Sequence, residues 1–263
     1  MSKFSRGLVA VGSLVALTFG MGPVQAVPAP DLDHTELCSP DDPSDYTLNI
    51  DNPYFPLKPG SRWVYTGIEP ADPGDPTSED EPLGVRITVL KATENIYSGA
   101  DTIVTRVVQE FEWADEDQDG RKDRDEELIE ISLNYFAQNA GTVCYFGETV
   151  DIFHEDGPVT HDGSWRADDP GNAPGIFMPV NAEDLNVGTD WLMEDAPGVA
   201  VDRATIEGSD DVTVPAGTFQ DALEIEDCNT IDGDCGTKFY ASGPGLIVDG
   251  PLKLIKFTSP GKK

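Results

Sequence analysis

From about residue 60 to residue 258 the chain is built of short stretches in which apolar and polar positions alternate, separated by Gly, Pro, Asn and Asp. The clearest is Leu128 to Phe136, where Ile129, Ile131, Leu133 and Tyr135 alternate with Glu130, Ser132 and Asn134. That period of two predicts a half-buried strand. Leu83 to Leu90 places Val85, Ile87 and Val89 on one face, and Thr102 to Trp113 is rich in β-branched and aromatic residues. Further short strands are expected after the proline-punctuated entry Asn52 to Tyr65, and at Thr142 to Phe146 and Val150 to His154. Others are expected at Val199 to Ile206, Asp211 to Val214, Phe219 to Glu226, Thr237 to Ala241, Gly245 to Val248 and Leu252 to Thr258. Pro215-Ala216-Gly217 has the proline and glycine of a tight turn. Glu69 to Pro82 and residues 155–190 read as loops. No segment keeps a helical period beyond one or two turns. The pattern predicts an all-β single domain of many antiparallel strands, with a curved sheet folded as a half-barrel or a sandwich.

The two ends of the chain change this picture. Residues 1–26 have the form of a secretory signal. Lys3 and Arg6 are basic, Leu8 to Phe19 is apolar but too short to span a bilayer, and Val24-Gln25-Ala26 offers a small-residue cleavage site. Residues 27–47, rich in Pro and Asp, are expected to be extended, and the β domain is expected over 48–263. No second hydrophobic run follows the signal, so the mature chain is expected to be soluble, secreted or periplasmic, without membrane insertion. The formal charge of −32 becomes two units more negative once Lys3 and Arg6 are removed. Such a surface repels nucleic acid and anionic lipid and attracts cations and basic partners.

One stretch carries specific chemistry. Asp115-Glu116-Asp117-Gln118-Asp119-Gly120-Arg121-Lys122-Asp123-Arg124-Asp125-Glu126 fits the D-x-D-x-D-G-x-x-D-x-x-E calcium loop. Asp115, Asp117 and Asp119 take positions 1, 3 and 5, and Gly120 makes the turn at 6. The Arg121 carbonyl takes 7, Asp123 takes 9, and Glu126 closes the site at 12. A hard cation needs six to eight oxygens, and this spacing lets one short loop supply most of them. Lys122 replaces the apolar residue common at position 8, and the flanks are strands, not helices. The loop is therefore expected at the tip of a hairpin, over residues 113–128, with Ca²⁺ affinity of roughly 0.1–1 mM. A solvated acidic turn is the plainer alternative, since charge runs usually are. Five carboxylates in register around a glycine favour calcium.

Four cysteines in an exported chain favour two disulfides. Cys228 and Cys235 enclose a turn-like sequence and suit a hairpin staple, which leaves Cys38 with Cys144. Sequence alone allows three pairings. No paired C-x-x-C spacing points to zinc.

The ordered segments resemble a family of uncharacterised secreted bacterial β-rich proteins. The resemblance rests on Asn52-Pro-Tyr-Phe-Pro-Leu-Lys-Pro-Gly-Ser-Arg-Trp-Val-Tyr65, Tyr135-Phe-Ala-Gln138 with Val143-Cys-Tyr-Phe-Gly-Glu148, and Gly163-Ser-Trp165. It continues with Pro174-Gly-Ile-Phe-Met-Pro179, Ala196-Pro-Gly198, Val212-Thr-Val-Pro-Ala-Gly-Thr-Phe219 and Phe239-Tyr-Ala-Ser-Gly-Pro-Gly-Leu-Ile247. It implies an exported β domain and supplies no activity. It also implies that the acidic loop is an elaboration.

Catalytic signatures are missing. There is no G-x-S-x-G and no H-E-x-x-H, and Ser164 near His161 in sequence is not a catalytic geometry. Glu148, Asp151, His154 and His161 offer transition-metal ligand types, but ordinary polar positions beside a strand are the favoured reading. Trp63, Trp113, Trp165, Trp191, Tyr65, Phe136, Tyr145, Phe146 and Phe177 are expected to be mostly core, with some available to line a cleft. Such a cleft is expected to be aromatic, with few ionisable groups. The sequence thus predicts a secreted, non-catalytic, calcium-binding β domain that binds an unknown ligand or a cell-surface partner. An exported hydrolase with its site in the 155–198 loops is the rival.

Overall fold

The computed structural model describes residues 31–71, 78–154 and 157–261. The signal-like segment 1–26 and the centre of the 69–82 loop lie outside the described residues. Among those described, no helix is long and apolar enough to cross a membrane.

One sheet holds all fifteen strands. Two short strands come early, β1 (Asp31–Leu32) and β2 (Tyr46–Thr47), with the one-turn helix α1 (His34–Leu37) between them. A first meander follows: β3 (Arg62–Glu69), β4 (Glu81–Ile96), β5 (Ile103–Ala114), β6 (Leu128–Asn139) and β7 (Thr142–Ile152). The short strands β8 (Trp165–Arg166), β9 (Gly175–Met178) and β10 (Asp190–Leu192) lead to a second meander. It comprises β11 (Asp202–Val214), β12 (Gly217–Asn229), β13 (Cys235–Ala241), β14 (Gly245–Asp249) and β15 (Leu252–Thr258). The last strand pairs with β3 and joins the meanders, and every pairing is antiparallel except β1 with β10. The fold is all-β, as the alternation predicts.

Several strands run longer than their apolar stretches. β7 joins two expected strands into one, and it passes Gly147 at φ 116°, where a Cβ would meet the Trp165 carbonyl oxygen at 2.3 Å. β11 likewise joins two, with register shifts at Ile206/Gly208 and Asp210/Val212. Further shifts interrupt β4/β5, β6/β7, β13/β14 and β15/β3. Such bulges bend a strand and raise its twist, and here they curl the sheet. Its hydrogen-bonded order does not close. The segment after β10 nevertheless comes against β9 on the opposite edge. Ala173 N–H donates to the Asp195 carbonyl at 2.8 Å, and a Cβ on Gly175 would lie 2.0 Å from the Met193 carbonyl oxygen.

Of residues 27–47, read as an extended segment, the described part 31–47 carries α1 and the two short strands, and reaches both halves of the sheet through β1 on β10 and β2 on β6. Cys38–Cys144 pins this segment to β7, and Cys228–Cys235 bridges a directly opposed pair of β12 and β13. No cysteine is free.

Candidate functional site

The curled sheet encloses a cavity of about 910 Å³. Residues two apart on each strand share a face, and the inward faces alternate as that rule requires. β3 contributes Trp63 and Tyr65, β5 contributes Val108, Glu110 and Glu112, and β6 contributes Glu130, Ser132, Asn134 and Phe136. The far wall contributes Asp202 of β11, Asp227 of β12, Lys238 and Tyr240 of β13, and Asp249 of β14.

The β6 assignment is informative. Its apolar set, Ile129, Ile131 and Leu133, is only partly buried, whereas the polar set faces the cavity. The alternation is that of the sequence, but the polar face is the one turned inward. The cavity also departs from the aromatic cleft with few ionisable groups. Among the described residues, fourteen carboxylates and a single lysine line it, with no arginine or histidine.

The carboxylates are not evenly spread. The register sets Glu112 beside Glu130, Glu110 beside Ser132, and Asn134 beside Glu148. Beyond Asn134 comes an aromatic end, where Phe136 stacks on Tyr145 at 4.7 Å and Phe177 lies 5.0 Å from Phe136 and 4.2 Å from Phe55. The Tyr145 hydroxyl donates to Asn134 Oδ1 at 2.5 Å.

Burial sets the electrostatics. It pushes the Glu110 carboxyl up to about 8, with the charges of Asp249 and Glu112 adding to the effect. It does the same for Glu130, to about 8, with Glu110 and Glu112 adding. Burial raises Glu148, with Glu130 and Asp202 adding to it; it raises Glu194, with Glu148, Asp202 and Asp227 adding; and it raises Asp202, with Asp227 adding and Lys238 opposing. Glu148 on β7 and Asp202 on β11 come from opposite ends of the strand order, so the effect of Asp202 on Glu148 reflects how far the sheet curls. On the far wall Lys238 Nζ lies 2.6 Å from Asp227 Oδ2 and 4.0 Å from Asp249 Oδ1. Burial opposes the lysine charge, and the two aspartates more than offset it, holding its pKa well above the ordinary value. Asp249 is raised by burial and drawn back by Lys238, reaching about 6. Two carboxylate oxygens, Asp202 Oδ1 and Asp227 Oδ1, are buried without a hydrogen-bond partner.

The acidic loop lies on the other side of the sheet. β5 and β6 form the expected hairpin, and Ala114 N–H closes it onto the Glu127 carbonyl at 3.0 Å. The loop does not project as a free tip. It folds back over β3, β4 and β15, with Gln118 Nε2 donating to the Gly67 carbonyl at 3.0 Å. A Cβ on Gly120 would meet Ile255 Cδ1 at 2.3 Å, and Gly120 takes φ 73°, so glycine is required there twice over. Beneath it Trp113 is fully buried over Gly84, where a Cβ would meet the indole at 2.4 Å.

Asp115, Asp117 and Glu126 bring carboxylate oxygens within 4.8 Å of one another. Asp115 is fully buried. Gly120 N–H donates to its Oδ2 at 3.1 Å, while its Oδ1 has no partner. Burial raises its pKa, with Glu126 and Asp117 adding to the shift and the Gly120 N–H and the nearby Trp113 indole opposing it. Glu126 is held by the N–H groups of Glu116 at 3.2 Å and Asp123 at 2.7 Å. Asp119 and Asp123 stand outside this triad, and Asp119 lies 3.9 Å from Arg121. Lys122 turns back onto the Asp123 and Glu126 carbonyls, which accounts for a cation at the usually apolar position 8.

The four residues weighed as a transition-metal set are not brought together. Glu148 faces the cavity, His161 Nδ1 meets Asp151 Oδ1 at 2.8 Å, and His154 meets Thr160 at 3.2 Å. The Ser164 hydroxyl accepts from Val150 N–H at 2.8 Å and lies 3.4 Å from the Val150 carbonyl, so it braces backbone. Among the aromatics, Trp63, Tyr65, Phe136, Tyr145 and Phe177 line the cavity, while Trp113, Trp165, Trp191 and Phe146 are buried elsewhere. No family model, curated protein or solved structure matches this chain.

Proposed function

We propose that this is an exported, non-catalytic binding protein that holds a small ligand inside its curled sheet and a calcium ion in the loop on its outer face. The cavity carries the reading. A void of about 910 Å³ falls in the range that small-molecule sites occupy. An interior this open forgoes the close packing a protein core normally gains, a cost that ligand occupancy offsets. The signal-like segment 1–26 and the two disulfides support export. Resemblance to secreted β-rich proteins agrees with this reading.

Calcium is supported by a buried Asp115 oxygen without a partner, facing two further carboxylates. A divalent cation would give that oxygen its missing partner and offset the burial and the neighbouring charges that raise Asp115. The hydrolase alternative is not supported at Ser164, whose hydroxyl is engaged with the Val150 backbone.

A neutral fluorescent probe, N-phenyl-1-naphthylamine, tests the cavity reading. Ser132 sits at mid-wall and is buried, so Ser132→Phe should fill the space. The mature protein is expected to enhance the probe's fluorescence saturably, with a dissociation constant at least tenfold weaker in the variant. Failure of the wild type to bind the probe, or equal binding by a folded variant, would contradict it.

A further inference from the structure

Given that reading of the cavity as a ligand site, we propose that its ligand is an organic cation, an amine carried on an apolar or aromatic body. The cavity has two chemically distinct ends along one wall. Phe136, Tyr145 and Phe177 form a ring-lined end that suits an apolar body. The register then steps through Asn134 to Glu148 and Glu110 on neighbouring strands. Carboxylates of the far wall, Asp202 and Asp227, face them.

Acidic residues alone do not make a cation site, but here a buried acceptor is left over. The Asp227 side chain is about nine-tenths buried, at 9% exposure. One of its oxygens pairs with Lys238, while Oδ1 is buried without a partner in a residue that lines the cavity. Asp202 Oδ1 is likewise buried without a hydrogen-bond partner. Buried acceptors without donors are costly, and an ammonium supplies three donors and a compensating charge. An anion would meet fourteen carboxylates, and a purely apolar ligand would leave Asp202 Oδ1 and Asp227 Oδ1 unpaired.

The cation must also displace protons. The inner carboxyls are raised mainly by burial and by one another. Near neutral pH the free cavity therefore holds part of its acid neutral, and an ammonium favours the ionised form. Binding then releases protons to the buffer.

The test compares three probes with one ring system: tryptamine as the cation, tryptophol as the neutral alcohol, and indole-3-acetate as the anion. Calorimetry is run on the mature protein at pH 6.5 in two buffers of different ionisation enthalpy. Tryptamine is expected to bind at least tenfold tighter than tryptophol and to release about one proton, with indole-3-acetate weakest. The double variant Glu110→Gln with Glu148→Gln keeps the shape of the neutral carboxyls and should fold. It is expected to cut the amine-to-alcohol ratio below threefold. Equal binding of amine and alcohol, a ratio unchanged in the variant, or tryptamine that does not bind would each overturn the inference. Binding of the neutral naphthylamine probe alone would leave the cavity reading standing and remove only the cation.

Discussion

At the scale of single residues, the decisive groups are polar atoms placed where water is scarce. Asp115 is the clearest outside the cavity: one oxygen is held by Gly120 N–H and the other lacks a partner. Its raised pKa means that the folded chain resists its ionisation. Asp115→Asn removes the charge while keeping an acceptor for Gly120. In chelator at pH 7 the variant is expected to melt at or above wild type. In excess calcium the order should invert, since tenfold excess over the dissociation constant adds about 1.4 kcal/mol to wild type alone. Differential scanning calorimetry reads both arms, and an order independent of calcium would remove the ion from this account. The acidic loop at the end of the β5–β6 hairpin was legible because the residues that form it are local in sequence. The cavity carboxyls were not. Glu110, Glu148, Asp202 and Asp227 lie on four strands, and their convergence depends on curvature that no local spacing encodes. A signal did exist in the shared parity of Glu110 with Glu112 and of Glu130 with Ser132 and Asn134. Parity alone does not say which face turns inward.

Among the elements, the β5–β6 hairpin joins the two chemistries, because its strands carry cavity carboxylates on one face and support the acidic loop on the other. The outer face has its own packing. Arg86 stacks over Phe111 at 4.5 Å, and Trp113 fills the space above Gly84. That indole lies two residues before Asp115, so the loop's floor depends on the absence of a side chain at 84. Gly84→Ala is expected to cost about 1–3 kcal/mol through overpacking and to weaken calcium binding several-fold. Chemical denaturation and calcium titration of the variant check both effects. Unchanged calcium affinity in a folded, destabilised variant would show that the loop is held by its own turns alone. Strand existence and the hairpin were readable from alternation. Strand length was not, because β7 and β11 continue through glycines and bulges that look like breaks in sequence. Nor did sequence place the acidic loop, which docks on Val64, Gly67 and Ile255, far along the chain in both directions.

For the whole molecule, two meanders joined through β15 and β3 give a sheet that curls without closing, with its interior kept partly polar. The all-β class was legible from the period of the pattern. The hollow interior was not, since it arises from which face the bulges turn inward. Raised carboxyl pKa values set the sign of the pH dependence. Glu110 and Glu130 have folded values near 8, above an unfolded value near 4.5, so between these limits the folded chain binds more protons than the unfolded one. Their contribution is complete below about pH 4.5 and is lost as pH rises through 8, so the ligand-free protein weakens on that climb. A cation in the cavity should reverse this by favouring the ionised carboxylates. The most direct measurement is a carbon-13 NMR titration of the side-chain carboxyls, assigned through Glu110→Gln and Glu130→Gln, with and without saturating tryptamine. The expected result is that both carboxyls titrate near pH 8 in the free protein and below about pH 6 with the amine bound. Carboxyls that all titrate between about pH 3 and 5 in the free protein, or raised values that the amine leaves in place, would contradict it.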